Sequence, residues 1–422
     1  MARRITLIMM IFVAIASAGT WWVHSANGND AYPGSSADSA FASLGAAANA
    51  MSCGDTCNAA GVFHETLTLS SGSHEGCLFR EWSDSAYWTV DGDFTRECVY
   101  LGSGLGDGAE RAPVFHNLKA TEGSSNCVRT LADVRVCFIA CSLSTSGGNT
   151  GIWQSDRGFA HIESCYVSGD NYASGGNGAA MLALESSFQS SNCCFYTGND
   201  GWSYRSRGCD YSGVDGFDLS SCSGYRGSFR LAEDRFELTG TIFDCDGAPA
   251  SIDAIKCFFT GADRVISGGD VGSPEVTMIN CTVESTGCAF ATDGPLTMMN
   301  VIVADCDTAL AAGGNIRAVS LDINGCGVDT VGLPEELEYY DFDPMLDSLG
   351  VARSDSAKHF GTSSAFGRDA PLFDDRGRWF RTEENSPMLG WRSPHDMTEW
   401  PDFVGETETT EWGVRSSGRR LR

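Results

Sequence analysis

Lysine is nearly missing from this 422-residue chain, which carries only Lys119, Lys256 and Lys358. Acidic residues outnumber basic ones by 55 to 28, and the formal charge is −27. Such a surface repels a phosphate backbone, which excludes a general nucleic-acid-binding role. Proline is sparse as well, at 11 residues, and beyond residue 23 no apolar run approaches the ~18 residues that a membrane span requires. What the chain has in quantity is glycine, 50 residues, which interrupts long helices and excludes a helical bundle. Hydrophobic residues at 42% and aromatics at 10% supply a packed core and exclude a disordered chain. Cations, metal ions and neutral sugars remain as partners.

The first residues read as an export signal. Arg3 and Arg4 precede an apolar run over 5–15, and Ala16-Ser17-Ala18 offers the small-x-small pattern that a signal peptidase accepts. His24-Ser25-Ala26 is a second cleavage site, and Trp21-Trp22-Val23 lengthens the apolar run enough for an uncleaved anchor. The expected organisation is a signal over 1–18 (alternatively 1–26, or an anchor), a cap over 27–60, a coil over 61–330, a closing segment over 331–400 and a polar tail over 401–422. The protein is expected to be secreted or held at the cell surface, with no other membrane span. In an oxidising compartment its 18 cysteines can pair, although their number fixes no connectivity.

The cysteines also write a repeat. Phe138-Ile139-Ala140-Cys141, Ile162-Glu163-Ser164-Cys165, Ser191-Asn192-Cys193-Cys194, Ala254-Ile255-Lys256-Cys257, Met278-Ile279-Asn280-Cys281 and Val303-Ala304-Asp305-Cys306 align as short strands centred on Cys, with Cys222, Cys245 and Cys326 as weaker members. A period in the twenties with variable insertions means a solenoid. The Leu scaffold of leucine-rich repeats is missing, so a parallel β-helix fits better. Gly-rich joints such as Ser146-Gly147-Gly148-Asn149, Gly175-Gly176-Asn177-Gly178 and Ser267-Gly268-Gly269-Asp270 supply its bends. Stacked coils then build one core from units that cannot fold singly. Cys is small and apolar enough to form an inward ladder of thiols. The early group Cys53, Cys57, His64, His74 and Cys77 matches no zinc spacing.

The ends add a resemblance. Gly28-Asn29-Asp30-Ala31-Tyr32-Pro33-Gly34-Ser35, then Phe41-Ala42-Ser43-Leu44, Gly54-Asp55-Thr56 and Ala60-Gly61-Val62-Phe63-His64-Glu65-Thr66-Leu67, are similar to the opening of secreted right-handed parallel β-helix proteins of the pectate-lyase-like superfamily. Asp38 or Ser39 can cap a helix whose Phe41, Leu44, Ala48 and Met51 cover the open end of the coil, which begins with a strand over 65–69. Asp341-Phe342-Asp343-Pro344-Met345-Leu346 and Ser386-Pro387-Met388-Leu389-Gly390 resemble the closing segment of the same proteins. The resemblance implies an all-β, right-handed parallel β-helix with a capping helix and an irregular closing segment. It says little about activity, since this scaffold hosts lyases, hydrolases, epimerases and adhesins.

Catalytic signatures of the better-known β-helix enzymes are not visible. Arg111-Ala112-Pro113 lacks the second Arg of the pectate lyases, and Ser393-Pro394-His395-Asp396 departs from the epimerase motif at its first residue. Two other features point to a site. Asp170, Asp200 and Asp263 follow the Cys strands, and a row of such oxygens could hold Ca²⁺. The densest mixture of charge and aromatics includes Trp202, Tyr204, Arg205, Arg207, Asp210, Tyr211, Asp215 and Asp218. There Trp202, Tyr211, Asp210 and Asp215 are candidates to grip a sugar, and Arg205, Arg207 or Tyr204 to act as the base of a lyase. His161 and Glu163, pointing outward from one strand, are weaker candidates. The expected function is recognition of a polysaccharide or cell-surface glycan, with cleavage of acidic glycans by a lyase or hydrolase route. The alternative is a non-catalytic surface or matrix protein for binding or adhesion.

Overall fold

The computed structural model describes residues 18–331, with breaks at 83–86, 107–111, 156–157, 178–179, 199–202, 220–226, 247–249, 269–273, 280 and 313–315, together with 372–373 and 380–381. Within 18–331 the chain winds as a parallel β-helix with three strands per coil, the right-handed architecture that the sequence predicts. One coil consists of Arg135–Ile139, Ser142–Ser144 and Thr150–Gln154, and the next of Phe159–Glu163, Tyr166–Gly169 and Tyr172–Gly176. Each strand pairs in parallel with its equivalent one coil on, so three stacks of strands run the length of the molecule. The first stack takes the strands that open each coil; the second and third follow in chain order. The expected closing segment and tail lie outside the described residues, except for a short antiparallel pair, Leu372–Phe373 with Phe380–Arg381. No described helix is long and apolar enough to cross a membrane.

Alternation within the strands explains the core. In Arg135–Ile139, Val136 and Phe138 point inward and are fully buried, and register places like residues above one another. Phe79, Phe115 and Phe138 stack with ring centres 5.3 and 5.1 Å apart. Another column runs through Phe188, Tyr211, Phe236 and Phe259 at 5.5, 4.3 and 5.0 Å. Such columns fix register, because a one-residue slip would turn every ring out to solvent.

The repeated Cys is not at the centre of a strand. It is the corner residue between the first and second stacks, directly after a residue in the left-handed region: Ala140 (φ 52°), Ser164 (φ 53°) and Lys256 (φ 56°) precede Cys141, Cys165 and Cys257. A sharp corner needs positive φ and turns one buried N–H into the interior, where it requires an acceptor. The next coil supplies one. Cys141 N–H donates to Cys165 Sγ (3.2 Å), Cys165 N–H to Ser186 Oγ (3.1 Å) and Cys209 N–H to Asp234 Oδ1 (2.8 Å). Cys, Ser and Asp are thus interchangeable at the corner as short side chains that carry an acceptor atom one bond (Sγ, Oγ) or two bonds (Oδ1) beyond Cβ. Four of the aligned cysteines lie elsewhere: Cys194 within a third-stack strand, Cys245 after one, and Cys306 and Cys326 at the corner between the second and third stacks, where Cys306 accepts from Thr286 Oγ1 at 3.1 Å; Cys222 lies outside the described residues. The described cysteines are free thiols.

The cap differs in detail from expectation. Ser43, not Asp38 or Ser39, caps the helix Leu44–Ala50, with its Oγ accepting from Ala46 N–H at 3.1 Å. Glu65 accepts from Leu44 and Gly45 N–H at 2.7 and 3.1 Å, tying the helix to the first coil. Phe41, Leu44, Ala48 and Met51 are buried as predicted. The coil begins with Thr56–Ala60, ahead of the expected strand over 65–69, of which only Leu67–Leu69 is a strand. The fold itself starts earlier still, with Thr20–His24 laid in parallel on Thr56–Ala60.

Asp234 is the corner residue with a measurable consequence. It is 1% exposed and accepts from Ser206 Oγ as well as from Cys209 N–H. Burial pushes its carboxyl from 3.8 up to about 8. The folded protein therefore keeps a proton that the unfolded chain gives up above pH ~4, so stability falls as pH rises from about 4 to about 8 and levels off beyond. The slope from this one group approaches ~1.4 kcal/mol per pH unit. Urea unfolding between pH 4 and 9 is expected to show a shallower slope in Asp234→Asn than in the wild type, with the variant the more stable at pH 8. Parallel slopes would rule out Asp234 as the source.

Candidate active site

The outer face of the third stack carries one file of side chains in strict register: Tyr100, Arg129, Trp153, Gly175, Tyr196, Asp218, Asp244 and Ser267. Successive members sit ~4.8 Å apart along the stack. The chemistry of the file changes from end to end. Arg129 pairs with Glu97 at 3.2 Å near its start. Then come aromatic rings: Tyr196 stacks on Tyr172 at 4.7 Å and on Trp153 at 6.4 Å, all three half-buried. Gly175, between Trp153 and Tyr196 in the file, makes this possible, since a Cβ there would lie 3.2 and 3.3 Å from the Trp153 ring. These half-buried rings, stacked on one another, form an apolar aromatic platform on the outer face, and aromatic side chains of this kind line sugar sites.

Immediately beyond the platform the file turns acidic. Asp218 and Asp244 are direct neighbours on adjacent strands. Asp244 is pushed up from the ordinary carboxylate range, first by burial and then by the carboxylates of Asp218, Asp246 and Asp215, against one hydrogen bond from Asp246 N–H. Two carboxyl groups in neighbouring positions, one holding its proton more tightly, can divide acid and base roles between them. The phenol of Tyr172 is likewise raised, by burial and by Tyr196 and Asp218, which places the aromatic and acidic ends of the file in one electrostatic neighbourhood.

The residues singled out from sequence are distributed differently. Tyr204 and Tyr211 point into the core at 0% and 1% exposure, their hydroxyls 2.7 Å apart. Burial raises both phenols well above their usual range, so neither can serve as a base or grip a ligand at the surface. They are core residues because strand alternation turns them inward, which charge density along the chain could not reveal. Arg205 and Arg207 flank the buried Ser206 on the outer face of the first stack, in register with Arg230 and Ala232, and Arg207 Nε lies 3.9 Å from Glu233. They therefore face away from the third-stack file. Asp210 is exposed on the second stack. Asp215 does reach the neighbourhood of Asp244, with its Oδ1 accepting from Thr241 N–H at 2.6 Å. Trp202 and Asp200 lie outside the described residues.

The proposed calcium row does not assemble. Asp170 and Asp263 follow second-stack strands four coils apart, a separation of roughly 19 Å at ~4.8 Å per coil, too far to share an ion. Asp170 is occupied as a turn acceptor for Gly147 and Gly148 N–H. Among the described residues one set of ligand types does converge elsewhere, His64 with Asp93 (3.1 Å) and Asp91 (4.0 Å). Arg96 stands 3.8 Å from Asp93 and already neutralises it at this exposed turn. His161 points outward but is buried, with Nε2 3.5 Å from Glu163, whose carboxyl it holds below the ordinary value.

Sequence reasoning missed Trp153, Tyr172, Tyr196 and Asp244. Each lies about one coil from a partner along the chain, so the repeat period applied to aromatic and acidic residues, and not to Cys alone, carried the signal.

No protein-family model matches the chain, and no curated protein matches it in sequence. Among solved structures it is similar to pectate lyase Pel9A, at 14% identity and a TM-score of 0.47, over 89% of this chain and 91% of that one. A GH136 lacto-N-biosidase from Eubacterium ramulus matches at 9% identity and a TM-score of 0.37, over 72% of this chain and 67% of that one. A rhamnogalacturonan lyase matches at 11% and 0.26, over 69% and 75%. What the third-stack file does rests on its own geometry.

Because like charge is part of what raises Asp244, Asp218→Asn is expected to move its titration midpoint part of the way back toward the ordinary carboxylate value, the burial contribution remaining. Carboxyl NMR titration of the two proteins measures this. An unchanged midpoint would separate the two groups electrostatically and dissolve the pair.

Proposed function

We propose that this protein is an exported glycan-recognising β-helix protein whose third-stack file binds a neutral polysaccharide and hydrolyses it with the Asp218 and Asp244 pair. The observation that carries the reading is the continuity of the file, in which an aromatic platform runs without a break onto adjacent carboxylates. A chain of sugar rings lying along the stack would place apolar faces on Trp153 and Tyr196 and present a glycosidic oxygen to Asp244. Asp244, whose hold on its proton is raised by burial and by neighbouring carboxylates, is the general acid, and Asp218 is the nucleophile or base. Strand spacing of ~4.8 Å is close to the ~5–5.5 Å at which retaining glycosidases hold their carboxyl groups. The acidic end of the file and the −27 charge favour neutral sugars over uronates, and Arg205 and Arg207 lie on a different stack. A lyase acting on acidic glycans is therefore the poorer fit. The small structural likenesses to a biosidase and to two lyases agree with carbohydrate as the ligand class without choosing among them.

Affinity and turnover separate the parts of this reading. On an array of neutral and acidic polysaccharides, Trp153→Ala or Tyr196→Ala is expected to weaken binding by roughly 5- to 10-fold each, the effect of losing one stacked ring. Asp244→Asn is expected to abolish release of reducing ends while leaving affinity within about twofold. The wild-type rate should fall at high pH as Asp244 loses its proton. Retained binding with no turnover by the wild type on any glycan would favour a non-catalytic binding or adhesion protein. Unaltered affinity in both aromatic variants would remove the third-stack file as the binding site.

A further inference from the structure

Gly19 stands at the entrance to the fold. Its N–H donates to Asp55 Oδ1, and Asp55 also accepts from Trp21 Nε1 at 2.8 Å and Ser52 N–H at 2.9 Å. Although burial opposes ionisation, these hydrogen bonds hold the carboxyl below its ordinary value. Asp55 is 6% exposed, and its hydrogen-bond partners among the described residues are all neutral N–H groups. A nearly buried carboxylate without a cation is costly to maintain. The space at residue 19 is equally specific, since a Cβ there would lie 3.0 and 3.1 Å from the Asp55 oxygens and 3.1 Å from Trp21 Nε1. Ala18, one residue earlier, is exposed.

The strand that follows belongs to the folded body. Thr20–His24 pairs residue for residue with Thr56–Ala60, Val23 is fully buried, and Trp21 stacks on Phe41 at 6.1 Å. Cleavage after Ala26 would discard this strand, and a membrane anchor reaching Val23 would have to pull it out of the core.

We propose that the leader is removed between Ala18 and Gly19, and that the ammonium group so created docks on the Asp55 carboxylate, converting a hydrogen bond into an ion pair that locks the capping strand. The step is a hydrolysis by a protease of the signal-peptidase class. Water adds across the Ala18–Gly19 amide, the C–N bond breaks, Ala18 departs with the new carboxylate, and Gly19 keeps the nitrogen as –NH₃⁺. An α-amine titrates near 7.7–8.0 when unperturbed, and a carboxylate partner raises that value. The added stability is therefore complete below pH ~8 for as long as Asp55 stays ionised, fades as pH rises through the raised amine value, and is lost in acid when Asp55 is protonated. This proposal is independent of the glycan reading.

Two measurements test it. The full chain is expressed in a bacterium that exports it, and the N-terminus of the recovered protein is read by intact mass and chemical sequencing. Gly19 is the expected first residue; a start at Asn27, or a retained leader, overturns the proposal. The protein beginning at Gly19 is then compared with one carrying a single extra Ala before it, which moves the ammonium away from Asp55. The extended form is expected to melt lower by roughly 2 °C at pH 6 and identically at pH 10. The difference should vanish in Asp55→Asn. Equal melting at pH 6 overturns the docking, and if Asp55→Asn does not fold, the pH comparison decides alone.

Discussion

One constraint shapes this molecule: its coils turn a sharp corner between the first and second stacks, and at three such corners the buried N–H finds its acceptor in the next coil. Left-handed backbone at Ala140, Ser164, Glu185 and Glu233 makes the turn, and Cys165, Ser186 or Asp234 supplies the heteroatom. Because acceptor and donor sit on successive coils, satisfying the corner also fixes the vertical register. A leucine at the corner would turn the chain equally well but leave the N–H unpaired, at a cost of ~1–3 kcal/mol. The cysteine repeat is thus a hydrogen-bond device before it is a packing device, although the thiols also fill the interior.

Once register is set, the two faces of every strand are free to diverge. Inside, like stacks on like, and phenylalanine columns accumulate because identical rings one strand apart meet nearly face to face. Outside, the same rule brings unlike residues into files whose order is the order of the coils. The third-stack file uses this freedom to set Trp153 and Tyr196 beside Asp218 and Asp244. A solenoid makes extended binding surfaces in this way, with no loop needed to assemble them.

Stability and chemistry also meet in the carboxylates. Asp234 is buried at a corner and holds a proton at neutral pH, serving the backbone; Asp244 is half-buried on the outer face, where its raised affinity for a proton is available to a ligand. The physical cause is the same in both, loss of water around a charge. Their roles differ only because one side chain points in and the other out.

The Cys period, the Gly-rich joints and the apolar face over Leu44, Ala48 and Met51 were enough to determine a capped parallel β-helix, since backbone chemistry repeats locally and each coil obeys it independently. They did not determine that Cys194, Cys245, Cys306 and Cys326 leave the corner, because one inserted residue moves a cysteine to another position without altering the period. Nor did they place the site. Tyr204 and Arg205 are neighbours in the chain yet face opposite sides of a strand, whereas Trp153 and Tyr196 are distant in the chain yet stack on one face. The sequence determined what repeats; the tertiary structure decided which outward residues share a file, because that depends on the length of every intervening turn.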